Sequence, residues 1–148
     1  IHKKGGKLNP HLDYSLHPKS GLQRKLNIII YLNSNWKENW GGHLGFWGSE
    51  SNKKPGEIKK KFIPKFNRAI IFDTTQNSWH GLPEPVNCPI NEYRKSLAVY
   101  YLCVPSKKAA KRGKALFAPT TNQQKDKSVL KLIKERASVS SAKKVYRN

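Results

Sequence analysis

The sequence predicts an all-β jelly roll, closed by a short C-terminal helix. Three observations predict it. Apolar and β-branched residues cluster in short runs divided by turn residues, no helix-period segment occurs before residue 105, and strands do not alternate with helices. Seven or eight such strands suit two sheets packed over one shared interior.

The elements follow in chain order. Residues 7–15 read as the first strand and include His11-Leu12-Asp13, with a loop containing Pro18 and Gly21 behind them. Residues 26–32, rich in isoleucine, form the second and end at the turn signal Asn33-Ser34-Asn35. Gly41-Gly42 marks a turn before a strand at residues 44–47, and residues 48–56 read as a polar loop. Phe62-Ile63 and residues 69–72 flank the turn Pro64-Lys65-Phe66-Asn67. A loop with Pro83, Pro85 and Pro89 leads into the long β-branched and aromatic run 96–104. From Pro105 the composition becomes a charged connector, and then Val129, Leu130, Ile133 and Ala137 recur at helical spacing with Ser128 placed to cap them. That helix is expected to pack Val129, Leu130 and Ile133 on the barrel and to present Lys131, Lys134 and Arg136 outward. The chain is thus read as a jelly-roll domain at 1–104 and a basic connector with a helix at 105–148.

Length and composition narrow the class. At 148 residues the chain supports one domain with a single core. It contains no methionine, and it is read as a piece of a longer protein whose N-terminal part is missing. It offers no apolar run of membrane-spanning length and no signal-peptide core at its start. Cys88 and Cys103 lack metal-type spacing and read as unpaired thiols in a reducing compartment, so a cytoplasmic location is expected. The formal charge is +20, and it is uneven. Residues 1–104 carry 16 basic and 7 acidic groups, net +9, whereas residues 105–148 carry 13 and 2, net +11. Such a field attracts anions, so an anionic substrate or partner is one reading and a solvated tail the other.

The chemistry begins at His11-Leu12-Asp13. Side chains alternate along a strand, so His11 and Asp13 share a face while Leu12 packs on the other. A second histidine from a distant strand would complete a two-His-one-carboxylate triad, which leaves a metal with open positions. His2 lies at the chain start, His17 precedes Pro18 in a loop, and His43 is out of phase with Leu44. His80 follows the strand at 69–72, where a ligand can project inward. Arg94 opens the next strand, and its planar fork suits a carboxylate. Ser96 shares its face.

The ordered motifs His11-Leu12-Asp13, Tyr31-Leu32-Asn33 with Trp36, Gly41-Gly42-His43-Leu44, His80-Gly81 and Arg94-Lys95-Ser96-Leu97-Ala98-Val99-Tyr100-Tyr101 resemble the prolyl-4-hydroxylase-like branch of the 2-oxoglutarate/Fe(II)-dependent dioxygenases. The resemblance covers roughly residues 5–104. It implies a double-stranded β-helix of the cupin-like kind, iron on His11, Asp13 and His80, and Arg94 paired with the distal carboxylate of 2-oxoglutarate. It implies that Tyr31 hydrogen-bonds that carboxylate, and that Leu44 and Tyr100 line the same pocket. Strand parity places Ile29 beside Tyr31 on the pocket face, with Ile28, Ile30 and Leu32 on the other. Fe(II) is the implied metal, 2-oxoglutarate and O2 the implied co-substrates, and ascorbate a further candidate. The implied reaction is hydroxylation of a prolyl-type, small-molecule or sugar substrate, releasing succinate and CO2. Position 100 is tyrosine, where the nucleic-acid-demethylating branch carries a second arginine. The competing reading is a non-catalytic basic jelly roll that binds nucleic acid or another polyanion; such modules expose an aromatic platform, whereas Trp36, Trp40, Trp47 and Trp79 sit among apolar strand ends and Gly turns and read as core or pocket lining.

Overall fold

The structure is a computed structural model, and it describes residues 1–51, 53–75 and 77–137. Among the described residues, eight strands form two sheets: β1 (His11–Leu12), β2 (Gln23–Tyr31), β3 (Leu44–Ser51), β4 (Lys54–Phe62), β5 (Ala69–Asp73), β6 (His80–Gly81), β7 (Ser96–Cys103) and β8 (Leu116–Phe117). The five-stranded sheet has the order β4-β3-β6-β1-β8 and the three-stranded sheet the order β5-β2-β7. All the pairings are antiparallel. This is the jelly-roll architecture expected from the sequence. An α-helix, α1 (Lys127–Ala137), follows.

Register decides which residues meet. In the three-stranded sheet, Tyr31 lies opposite Ser96, Ile29 opposite Ile70 and Ala98, and Asn27 opposite Phe72 and Tyr100. Opposed residues share a face, so this set lines the side turned to the other sheet. The alternate set, Ile28 with Ile71 and Val99 and Ile30 with Leu97, lines the outer face. Outward-facing Ile71 and Leu97 are more than half exposed. The parity expected for β2 holds from Asn27 to Tyr31.

Several local expectations are corrected. The first strand is only two residues long, because Asp13 already leaves the ladder. Residues 48–56 are mostly strand: β3 and β4 run on as a hairpin whose repeated register shifts hide the alternation that would have marked it. β8 lies inside the connector expected after residue 104. The helix is capped by Asp126, not Ser128, since Asp126 Oδ1 accepts from the backbone N–H groups of Ser128 and Val129. Arg136 points inward over the Phe117 ring, 5.7 Å from its centroid, while Leu130 is exposed.

Two small apolar clusters hold the frame. Leu12, Trp79 and Ala118 pack with Trp47 and Leu116, and Leu82, Val86 and Cys88 pack with Leu8, Trp36 and Trp40. Trp79 is fully buried and the other three tryptophans are partly so, which is packing and not a platform. Among the described residues no helix is long and apolar enough to cross a membrane.

Candidate metal centre and co-substrate pocket

β1 and β6 pair with His11 directly opposite His80, which puts both imidazoles on one face. Asp13, two residues on, returns to that face. The ring centroids of His11 and His80 are 4.2 Å apart. His11 Nε2 lies 3.8 Å from Asp13 Oδ1 and His80 Nε2 3.5 Å from Asp13 Oδ2. Among the described residues these three form the group able to hold a metal ion, with ligand atoms within 4.8 Å of one another.

The tautomers follow from the other ring nitrogens. His11 Nδ1 meets the Asn9 carbonyl at 3.0 Å and His80 Nδ1 the Ser78 carbonyl at 2.8 Å. A carbonyl only accepts, so each Nδ1 carries the proton and each Nε2 lone pair faces the carboxylate. Burial pushes His80 down to about 4, with the neighbouring His11 adding to the shift. Burial lowers His11 too, against the opposing pull of Asp13. Neutral imidazole lone pairs facing carboxylate oxygens repel, and a cation between them removes the conflict. The donor set therefore fits a first-row divalent metal with a face left open.

Aromatic rings wall the centre. Phe72 lies 4.7 Å from His80, Phe46 5.0 Å from Phe72, and Phe117 stacks on His11 at 5.0 Å. Arg24, which is buried, holds Asp13 Oδ2 at 3.1 Å with its guanidinium 3.6 Å from the Tyr100 ring centroid. Asn27 Nδ2 donates to the same oxygen at 3.4 Å.

Arg94 stands at the other end of this face, 3% exposed. Its Nε donates to the Gly42 carbonyl at 2.6 Å and an Nη to the Tyr31 hydroxyl at 3.5 Å. Burial lowers the Arg94 pKa and raises that of Tyr31, so the Tyr31 phenol stays a donor at neutral pH. Among the described residues Arg94 has no acidic side chain as partner, an arrangement that calls for an anion. Two motif residues fix its position. Asn33 brackets it, donating to the Tyr93 carbonyl at 2.6 Å and accepting from the Lys95 N–H at 2.8 Å. Trp36 Nε1 donates to the Gly41 carbonyl, holding the turn against which Arg94 lies. Gly42 has φ +66°, and a Cβ there would sit 3.0 Å from Arg94 Cδ.

Residues 1–102 match the sequence model of the 2OG-Fe(II) oxygenase superfamily. The chain belongs to that superfamily. Membership implies Fe(II) and 2-oxoglutarate, in agreement with the donor set. Among curated relatives, this oxygenase is 33% identical over 61 residues to prolyl 3-hydroxylase OGFOD1 of Xenopus laevis and 30% identical over 61 residues to that of Mus musculus. These alignments cover 41% of this chain and only 12% and 11% of the relatives, so the chain spans a small part of their length. A crystal structure of a prolyl 4-hydroxylase from Phytophthora capsici superposes with a TM-score of 0.51 at 21% identity, over 93% of this chain and 40% of that one. That likeness concerns the fold.

The structure gathers the residues singled out from the oxygenase sequence at two stations. His11, Asp13 and His80 converge at one, with Tyr100, half exposed, beside Arg24 at the same end. Arg94, Tyr31 and Ser96 gather at the other, with Ile29 on the face between and Leu44 buried in the facing sheet. Sequence reasoning missed Arg24, Asn27, Arg112 and Phe117. Asn27 was open to discovery, since it shares the parity of Tyr31. Arg24 was not: a bulge between Arg24 and Leu26 breaks the alternation that would otherwise put it on the opposite face.

Proposed function

We propose that this domain is a hydroxylase that binds Fe(II) through His11, Asp13 and His80 and 2-oxoglutarate through Arg94. The observation that carries the reading is the pairing of two buried features: three converging metal donors and, along the same face, a buried guanidinium without an acidic partner. Iron and 2-oxoglutarate, when bound, supply the oxidative chemistry: O2, 2-oxoglutarate and a substrate C–H yield the hydroxylated substrate, succinate and CO2.

The chain's own residues do the rest. Arg94 supplies a fixed charge for the distal carboxylate, the Tyr31 hydroxyl beside it is a further donor, and Ser96, opposite Tyr31 in the ladder, shares that face. Asn33, Trp36 and Gly42 keep that guanidinium in place. Arg24 and Asn27 hold one oxygen of Asp13, which orients the carboxylate and restrains its rotation. Phe46 and Phe72 exclude water from the His80 side.

For the prime substrate, peptidyl proline is the first choice, supported by the names of the relatives. The +20 charge favours an acidic stretch around that residue. The deciding experiment is anaerobic addition of Fe(II) and 2-oxoglutarate to the chain, read by the visible charge-transfer band of a chelated 2-oxoacid. The band is expected in the parent and not in His80→Ala. An unchanged band in that variant would exclude His80 as a ligand. Succinate release on presenting proline-containing acidic peptides then tests the substrate class.

A further inference from the structure

The segment that carries two of the three metal donors is held, nearly residue by residue, by a part of the chain outside the stretch that matches the family. β8 pairs with β1, Phe117 opposite His11 and Leu116 opposite Leu12. The Ala118 N–H donates to the Pro10 carbonyl at 2.8 Å. Asn9 Nδ2 donates to the Ala118 carbonyl at 3.2 Å and to Gln123 Oε1 at 2.7 Å. Beyond the strand, Arg112 Nε donates to the Asp13 carbonyl at 2.8 Å, and the Arg112 carbonyl accepts from the Ser15 and Leu16 N–H groups. The family match ends at residue 102.

We propose that residues 112–123 form a strap that positions the metal donors, with Phe117 and Arg112 as its positioning residues. The inference rests on the metal reading above.

A strand of two residues cannot define its own twist or pitch, so His11 takes its orientation from its neighbours. His80 lies on one side. On the other, the Phe117 ring stacks on the imidazole with planes 24° apart, and the Arg136 guanidinium of α1 lies 5.7 Å from the centroid of that ring. Rotation of His11 away from the centre would break the stack. The strap reaches His11 by a second route, because Asn9, which it grips, supplies the carbonyl that fixes Nδ1. Arg112 acts on Asp13 through the backbone, setting where the carboxylate leaves the chain. Groups of this kind touch no metal and still govern how well donors are pre-placed.

The test uses the full chain and Co(II), a redox-stable probe whose visible spectrum reports ligand geometry. Affinity and spectrum are read well below the melting temperature for the parent, Phe117→Leu, Phe117→Tyr and Arg112→Ala, with circular dichroism as the check on folding. Phe117→Leu keeps apolar bulk but loses the stack, and its Co(II) affinity is expected to fall about tenfold or more, with shifted visible bands. Phe117→Tyr retains the ring and should restore both. A merely structural role would lower the melting temperature and leave affinity and bands as in the parent, and that result in folded Phe117→Leu would overturn the proposal. Should Phe117→Leu not fold, Arg112→Ala decides, since it removes one partly exposed side chain: several-fold weaker binding is expected, and parental binding would overturn the strap. Failure of the parent itself to bind Co(II) would overturn the metal reading and the strap with it.

Discussion

Arg94 and the two histidines put charge and proton chemistry in a buried setting, so single substitutions there have definite consequences. If Arg94 pairs with the 2-oxoglutarate carboxylate as proposed, Arg94→Ala removes that charge-assisted partner, a loss of roughly 2–5 kcal/mol. The apparent requirement for 2-oxoglutarate should rise by tens or more in a succinate assay, with Co(II) affinity unchanged. Gly42→Ala should give a weaker form of the same defect, because the new methyl meets Arg94 Cδ and Val86 Cγ2 at 3.0 Å in a backbone conformation with positive φ. A second consequence is a pH effect on the metal-free chain. His80 titrates at about 4 when folded, against an ordinary value of 6.5, so the unfolded chain binds more protons between those limits. Stability should be fully present above pH 6.5 and fall as pH drops towards 4, measured by urea denaturation of chelator-treated protein. A flat profile across that window would mean that His80 is not buried neutral. At this scale the sequence was most legible where a residue type is hard to explain by packing: His11, Asp13 and His80, read as donors, lie with ligand atoms within 4.8 Å of one another, and Arg94, read as a planar cation, is buried. Asn33 was visible as part of a motif but not as the bracket on Arg94, since its partners lie about 60 residues away.

The strands show where periodicity can and cannot be trusted. β2 and β7 were readable because nearly every position from Asn27 to Tyr31 faces a neighbour in regular register. β3 and β4 were not, because three register shifts scramble their alternation. β8 is a Leu-Phe pair between Ala115 and Ala118, too short to leave a pattern. The outer face of β5-β2-β7 offers a direct contrast. Ile71 is 60% exposed, whereas Tyr31 in the same sheet is fully buried. Ile71→Thr should change the unfolding free energy by no more than about 0.5 kcal/mol. Tyr31→Ala should cost about 3 kcal/mol or more through the cavity and the lost aromatic packing. Chemical denaturation of the two variants checks both values, and a large loss in Ile71→Thr would show that this face is covered in solution.

For the whole molecule, the separation of a catalytic barrel from a basic tail looks different once strand pairing is known. The tail carries net +11, but part of it is bonded to the strand that bears His11. Removing residues 107–148 should therefore lower the melting temperature and Co(II) affinity together, where a solvated extension would leave both as they were. Charge can be examined without truncation. If the basic surface gathers an acidic substrate, turnover of an acidic peptide should fall between 0.1 M and 1 M salt, as the screening length contracts from about 10 Å to about 3 Å. Turnover of a neutral peptide should change little.

The bond from Asn9 to Gln123 joins residues 114 positions apart, and it also sets the order in which the molecule can mature. Closing so long a loop comes late on most folding routes, since its entropy must be met before the contact can reward it. If the 112–123 strap positions the donors, a chain still leaving the ribosome should not hold a metal tightly until β8 has emerged. Metal added during refolding should leave the folding rate unchanged and slow unfolding only, because the contacts it strengthens are absent from the transition state. Stopped-flow fluorescence with and without Co(II) reads this directly; an accelerated folding limb would place the metal centre in the folding nucleus instead.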